Sequence, residues 1–139
     1  MLHTWTDRLT ESQVGDLCAL YRQEWWTERR TQDDVQRMLD HTDVLVAAID
    51  DGRLVAFARV LTDGVYKALV FDVIVAASAR SRGLGRALMD RICGHPFVRG
   101  VQHVELYCRP ELAPFYRRWG FESMNASLRF MRREIDAKG

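Results

Sequence analysis

The segment that most constrains this chain runs from Phe71 to Cys93, FDVIVAASARSRGLGRALMDRIC. Its first part, Val70 to Val75, is an apolar run rich in β-branched residues and interrupted only by Asp72, which predicts a largely buried strand. Its second part predicts a helix. Leu84, Leu88 and Ile92 recur at four-residue spacing with Ala87 and Cys93 beside them, while Arg82, Arg86, Asp90 and Arg91 take other positions. Between strand and helix lies Arg80-Ser81-Arg82-Gly83-Leu84-Gly85.

Two glycines at the mouth of a helix let backbone approach a ligand, and the first helical turn points unpaired N–H groups at it. Those groups favour an anion. Arg80, Arg82 and Arg86 add three positive side chains around the same turn, which suits a pyrophosphate better than a single carboxylate. The competing reading, that Gly83 and Gly85 only shape the turn, carries equal weight on spacing alone. A P-loop would need Gly-Lys-Ser or Gly-Lys-Thr where Gly85-Arg86-Ala87 stands, and a dinucleotide turn would need glycine or alanine in place of Leu88.

The remaining chain reads as one continuous domain over residues 1–139. A chain of this length buries roughly 68 to 70 percent of its unfolded surface, so no metal or disulfide staple is required. Twenty basic against nineteen acidic residues leave a net charge of +1, which argues against a general nucleic-acid surface and leaves local patches open. Cys18, Cys93 and Cys108 are odd in number and widely spaced, as expected of reduced thiols in a cytoplasmic protein. No secretory leader or membrane-length apolar run is read in it, and no membrane partner is expected. His3, His41, His95 and His103 show no metal-ligand spacing, so no metal is expected either.

In chain order, His3 to Thr6 predicts a short strand, and Thr10-x-x-Gln13 a capping box opening a helix to about Gln23 with Val14, Leu17, Cys18 and Tyr21 as its apolar stripe. A second helix starts at Thr31, with Asp33 and Asp34 in its first turn. Strands over 43–49 and 54–61 are joined by Asp50-Asp51-Gly52, a hairpin signal, and Thr62-Asp63-Gly64 turns into the central strand, giving an antiparallel meander. The strand over 101–108 follows a helix and is expected to run parallel to the central one. A helix with Pro114 in its first turn ends at Gly120, and last strands are expected over 121–124 and 127–134.

Two motifs then resemble one family. Arg80-x-x-Gly83-x-Gly85, with its preceding strand and following helix, is similar to the coenzyme A loop of the GNAT superfamily of acyl-CoA-dependent N-acyltransferases. Phe115-Tyr116 followed by Gly120-Phe121 resembles that superfamily's F-Y-x-x-x-G-F element. With Asp72-Val-Ile-Val75 included, the pattern is similar to small plastid and bacterial members that acetylate arylalkylamines or protein lysines.

The resemblance implies an α/β fold with a mixed, mainly antiparallel sheet of six or seven strands flanked by four helices. It implies acetyl-CoA as cosubstrate and direct transfer to a primary amine, of a small molecule or of a protein, and it leaves room for a homodimer. A non-catalytic acyl-CoA-binding module is the alternative. Backbone from Arg82 to Arg86, with Arg80, Ser81, Gly83, Leu84 and Gly85, would hold the pyrophosphate. The edge of the central strand at Val73, Ile74 and Val75 would pair with the pantetheine arm. Tyr116 would protonate the leaving thiolate and Asp72 act with it.

Asp72 is the first candidate base, because burial in an apolar strand would raise its pKa; a structural carboxylate paired with backbone or arginine is the competing reading, and Glu24 is in reserve. For Tyr116, Arg117 or Arg118 could lower the hydroxyl pKa, against the competing readings that these arginines are solvated and that the hydroxyl only bonds a backbone carbonyl. Glu24, Trp25 and Trp26 are candidates to grip an aromatic or alkyl ammonium, against a packing role for one of the tryptophans.

Overall fold

The computed structural model describes residues 3–24, 26–124 and 127–135. They fall into two compact units, Met1–Tyr107 and Cys108–Gly139.

The first unit is a five-stranded sheet in the order β1-β2-β3-β4-β5 with helices packed on it. Strands β1 (Thr4–Thr6), β2 (Val44–Asp50), β3 (Arg53–Thr62) and β4 (Lys67–Val75) pair antiparallel in sequence order. The β2–β3 hairpin forms because Asp51 and Gly52 both take positive φ, 51° and 76°, the twist that a two-residue turn needs. Strand β5 (His103–Leu106) runs parallel to β4, as a strand reached through a helix should.

Helix α1 (Glu11–Arg22) opens on the capping box between Thr10 and Gln13, and helix α2 (Gln32–Asp40) on Thr31, whose hydroxyl accepts from the Asp34 amide. Val14, Leu17, Cys18 and Tyr21 are all buried, in one cluster with Val35, Ala47, Phe57 and Ile74. Helix α3 (Leu84–Cys93) buries Leu84, Leu88, Met89 and Ile92 and packs on β2, β3 and β4. Because β3 is buried at every residue from Leu54 to Val60, both faces of the sheet are covered there.

The second unit holds a broken helical segment, a 3₁₀ turn at Pro110–Leu112, α4 (Ala113–Tyr116) and a 3₁₀ turn at Arg117–Trp119. Gly120 ends it at φ 86°, the left-handed conformation that glycine adopts without strain. One expectation fails: among the described residues the sheet has five strands, not six or seven. Residues 121–124 and 127–135 form none, and Met124, Leu128, Phe130, Met131 and Ile135 are exposed. Alternating apolar residues make a strand only where another backbone pairs with them.

Candidate active site

The parallel pairing of β4 with β5 stops at Val70↔Leu106, while β4 continues to Val75 paired only with β3. One edge of Phe71–Val75 is therefore without a neighbouring strand among the described residues. The same strand is bulged. Phe57 faces Ile74 but Arg59 faces Phe71, so Asp72 and Val73 together oppose Ala58, and Asp72 takes φ 56°. Such a bulge re-aims side chains and backbone amides in the stretch where pairing has ended.

Beyond Val75 the chain makes a short 3₁₀ turn at Ala77–Ala79 and enters α3 through Arg80, Ser81, Arg82 and Gly83. Gly83 sits at φ 75° without a side-chain cap, and the first intrahelical bond is Ala87 N–H to the Gly83 carbonyl, 3.0 Å. The amides of Leu84, Gly85 and Arg86 therefore point out of the helix end. A Cβ placed on Gly83 would meet nothing within 4 Å, so the space over this turn is open. An unpaired strand edge running into open helical amides fits a ligand with an extended amide-bearing arm and a pyrophosphate, both of which coenzyme A has.

The arginines of the loop are partly committed elsewhere. Arg82 donates to Asp50 and to the Ser78 carbonyl, both at 3.2 Å, and so braces the loop. Arg80 donates from Nε to the Val75 carbonyl at 3.3 Å, and its Nη2 lies 4.0 Å from Glu24 Oε1. Glu24, half-buried, is thereby brought to the end of the open strand edge. Arg86 remains exposed at the helix mouth.

Asp72 is the centre of a buried cluster. Its Oδ2 accepts from the Tyr21 hydroxyl at 2.9 Å, from Arg30 Nη1 at 2.8 Å and from Arg59 Nε at 2.8 Å. Oδ1 accepts no hydrogen bond among the described residues. The expected rise in pKa is overturned. Burial alone would raise it, but the Arg30 and Arg59 guanidiniums outweigh burial and hold the carboxyl below the usual carboxylate range. Tyr21, desolvated by burial and pressed against this ionised carboxylate, is held strongly toward its neutral form.

Arg30 and Arg59 were not anticipated, although a signal was present. Arg59 is the lone charge in Leu54 to Leu61, as Asp72 is in Val70 to Val75, and two buried strands each carrying one opposite charge are natural partners. Arg30 stacks over the Tyr21 ring at 4.6 Å and Arg59 over the Phe71 ring at 4.6 Å. Phe71 in turn meets Tyr107 edge-on at 6.4 Å.

Of the tryptophan pair, Trp26 is exposed and Trp25 lies outside the described residues. In the second unit, Tyr116 is buried among Phe115 and Phe121, with ring centroids 5.0 and 6.2 Å away. Burial, with a smaller contribution from Cys108, pushes its pKa up to about 12. Of the two readings of Arg117 and Arg118, the structure has the solvated one, since both residues are exposed.

A mixed sheet with, among the described residues, an open edge leading into a glycine-capped helix is a frame suited to an extended, anion-bearing ligand. The chain belongs to the acetyltransferase (GNAT) family, whose model matches residues 5–121. That family uses acetyl-CoA. The chain is 41% identical over 97 residues to serotonin N-acetyltransferase 2, chloroplastic, of Oryza sativa subsp. japonica, covering 67% of this chain and 48% of that one. It is 35% identical over 95 residues to glucosamine 6-phosphate N-acetyltransferase 1 of the same plant, covering 64% of this chain and 58% of that one. The chain thus spans about half the length of the curated relatives it matches. Among solved structures, a GNAT-family protein from Xanthomonas campestris pv. campestris aligns with TM-score 0.84 at 29% identity, covering 97% of this chain and 94% of that one.

Proposed function

We propose that this chain, as a single N-acetyltransferase domain, transfers an acetyl group from acetyl-CoA to the primary amine of a small arylalkylamine or similar acceptor, by direct attack. The observation that carries this reading is the unpaired edge of Phe71–Val75 leading into the open amides at Gly83. Val73, Ile74 and Val75 pair with the pantetheine amides, and Arg80 to Arg86 hold the pyrophosphate through backbone, with Arg86 adding charge. The likeness to a serotonin N-acetyltransferase supports the acceptor class. The three cysteines are free, which suits a reducing compartment such as the cytoplasm.

Bound acetyl-CoA supplies a thioester carbonyl, and the acceptor must meet it as a neutral amine. Losing the ammonium proton to water at pH 7 costs about 4.6 kcal/mol for a pKa near 10.4. Passing it to Asp72, held below its ordinary 3.8, costs at least about 9 kcal/mol. Solvent therefore takes the proton directly. Asp72 acts instead by position: Oδ1 accepts one amine N–H and leaves the nitrogen lone pair free for attack.

Tyr116 then donates its proton to the departing thiolate. From a hydroxyl at about 12 to a thiol near 8.5 the transfer is uphill by roughly 5 kcal/mol. That fits within a barrier of about 16 kcal/mol for a turnover near 10 per second.

Thiol release from acetyl-CoA, measured over tryptamine, serotonin, polyamines and lysine peptides, tests the reading. We expect turnover with small amines, kcat/KM rising about tenfold per pH unit below the acceptor pKa, and little with lysine peptides. Tight acetyl-CoA binding with no thiol release on any amine would favour a binding module instead.

A further inference from the structure

Asp72 is one carboxylate facing two guanidiniums. Both arginines spend their bond to it on Oδ2, Arg30 through Nη1 and Arg59 through Nε. The cluster carries one surplus positive charge, since Tyr21 is neutral. The surplus is placed where charge is costly to leave unmatched: the side chains of Arg59 and Asp72 are 10% and 3% exposed. Arg30 is 31% exposed and forms the open side. Among the described residues its guanidinium otherwise meets the Tyr21 ring and Met38 Sδ at 3.8 Å, neither of which carries charge. Neither the Arg59 Nη atoms nor the Arg30 Nε and Nη2 have a hydrogen-bond partner among the described residues. Two guanidiniums, each with donors to spare, converge on one carboxylate in the unpaired stretch of β4.

Resting on the acetyl-transfer reading, we propose that the acceptor amine carries an oxyanion, a carboxylate or a phosphate, which Arg30 and Arg59 bind. The arrangement is complementary to an acceptor with an amine and an anion a few bonds apart. The amine meets Asp72 Oδ1, the anion meets the spare guanidinium donors, and the surplus charge is matched. Phe71 and Tyr107, packed edge-to-face with Phe71 under the Arg59 guanidinium, give an apolar wall for the part of the acceptor between its charges. Arg30 and Arg59 are thus specificity-determining residues. An amine lacking the anion leaves their donors unpaired and loses affinity for that reason.

The test compares acceptors differing by one group: tryptophan against tryptamine for a carboxylate, glucosamine 6-phosphate against glucosamine for a phosphate. Calorimetric titration of each into the protein saturated with coenzyme A reads binding without any need for turnover. We expect at least one anionic member to bind at least tenfold more tightly than its neutral partner, and the pair that does so names the anion. In Arg30→Gln that gap should fall to within about threefold, and Arg30→Lys should restore part of it by keeping the charge without the planar fork. Equal affinities within both pairs of the wild-type protein, or a gap that survives in Arg30→Gln, would overturn the proposal. Thiol release on the same compounds separates the two readings. A binding gap without thiol release refutes acetyl transfer alone, and thiol release without a gap refutes the oxyanion site alone.

Discussion

At the scale of single residues, two ionisable groups have states set against their first expectation, and each yields a measurement. Tyr116 at about pKa 12 keeps its proton throughout the working range, which suits the proposed role of proton donor and not that of a base. Tyr116→Phe should lower kcat by about 10² to 10⁴ with coenzyme affinity unchanged in calorimetry. Any activity loss that the wild-type enzyme shows below about pH 10 should persist in shape in the variant. Asp72 behaves in the opposite sense. Its folded pKa is depressed, so its contribution to stability is present above the unfolded value near 3.9 and is lost as pH falls through the lower folded value. Asp72→Asn leaves two guanidiniums without their counter-charge and should cost roughly 3–5 kcal/mol in urea unfolding at pH 7. The difference from wild type should shrink at the acid end, below about pH 4.

At the scale of elements, strand edge and helix mouth form one device built from neighbouring stretches of chain, which is why so much of it was legible. The capping box at Thr10, the Thr31 cap and the hairpin at Asp51-Gly52 depend on residues a few positions apart, and the structure has all three. Gly83 offers a paired experiment with Gly52. Both hold positive φ, 75° and 76°, with open space where a Cβ would go. Alanine at either should cost about 1–2 kcal/mol in folding stability from the left-handed backbone alone. Coenzyme affinity should drop only for Gly83→Ala, and calorimetry on the two variants separates strain from ligand contact. The helix at Pro114 was legible from its prolines and Gly120, but its division into 3₁₀ and α turns was not. Pro114, four residues after Pro110, lacks the amide that a helix continuing from Pro110 would need there.

At the scale of the whole molecule, the sheet is held by side chains buried on both of its faces. Phe57, fully buried on β3, meets Tyr21 edge-on at 6.4 Å and so connects the sheet to α1 and to the Asp72 cluster. Phe57→Ala should cost roughly 3–5 kcal/mol, read from the urea midpoint at unchanged slope. It should also weaken acceptor binding, because Tyr21 loses the wall that holds its hydroxyl toward Asp72. A loss of stability with acceptor affinity intact would separate core packing from site geometry.

The sequence by itself determined the elements whose free energy is settled locally: the caps, the tight hairpin, the strand leading through Gly83 into a helix, and the two motifs shared with the family. Only the tertiary structure decided what Asp72 is. Its three donors stand 51, 42 and 13 residues away in the chain, at Tyr21, Arg30 and Arg59, and together they reverse the pKa shift that burial alone would give. The tertiary structure also decided that β5 releases β4 at Val70, opening the edge that the candidate site requires. The physical reason is the same in both cases. A turn or a cap is fixed by atoms a few bonds apart, whereas the charge state of a buried group and the length of a strand pair depend on which distant atoms folding brings alongside.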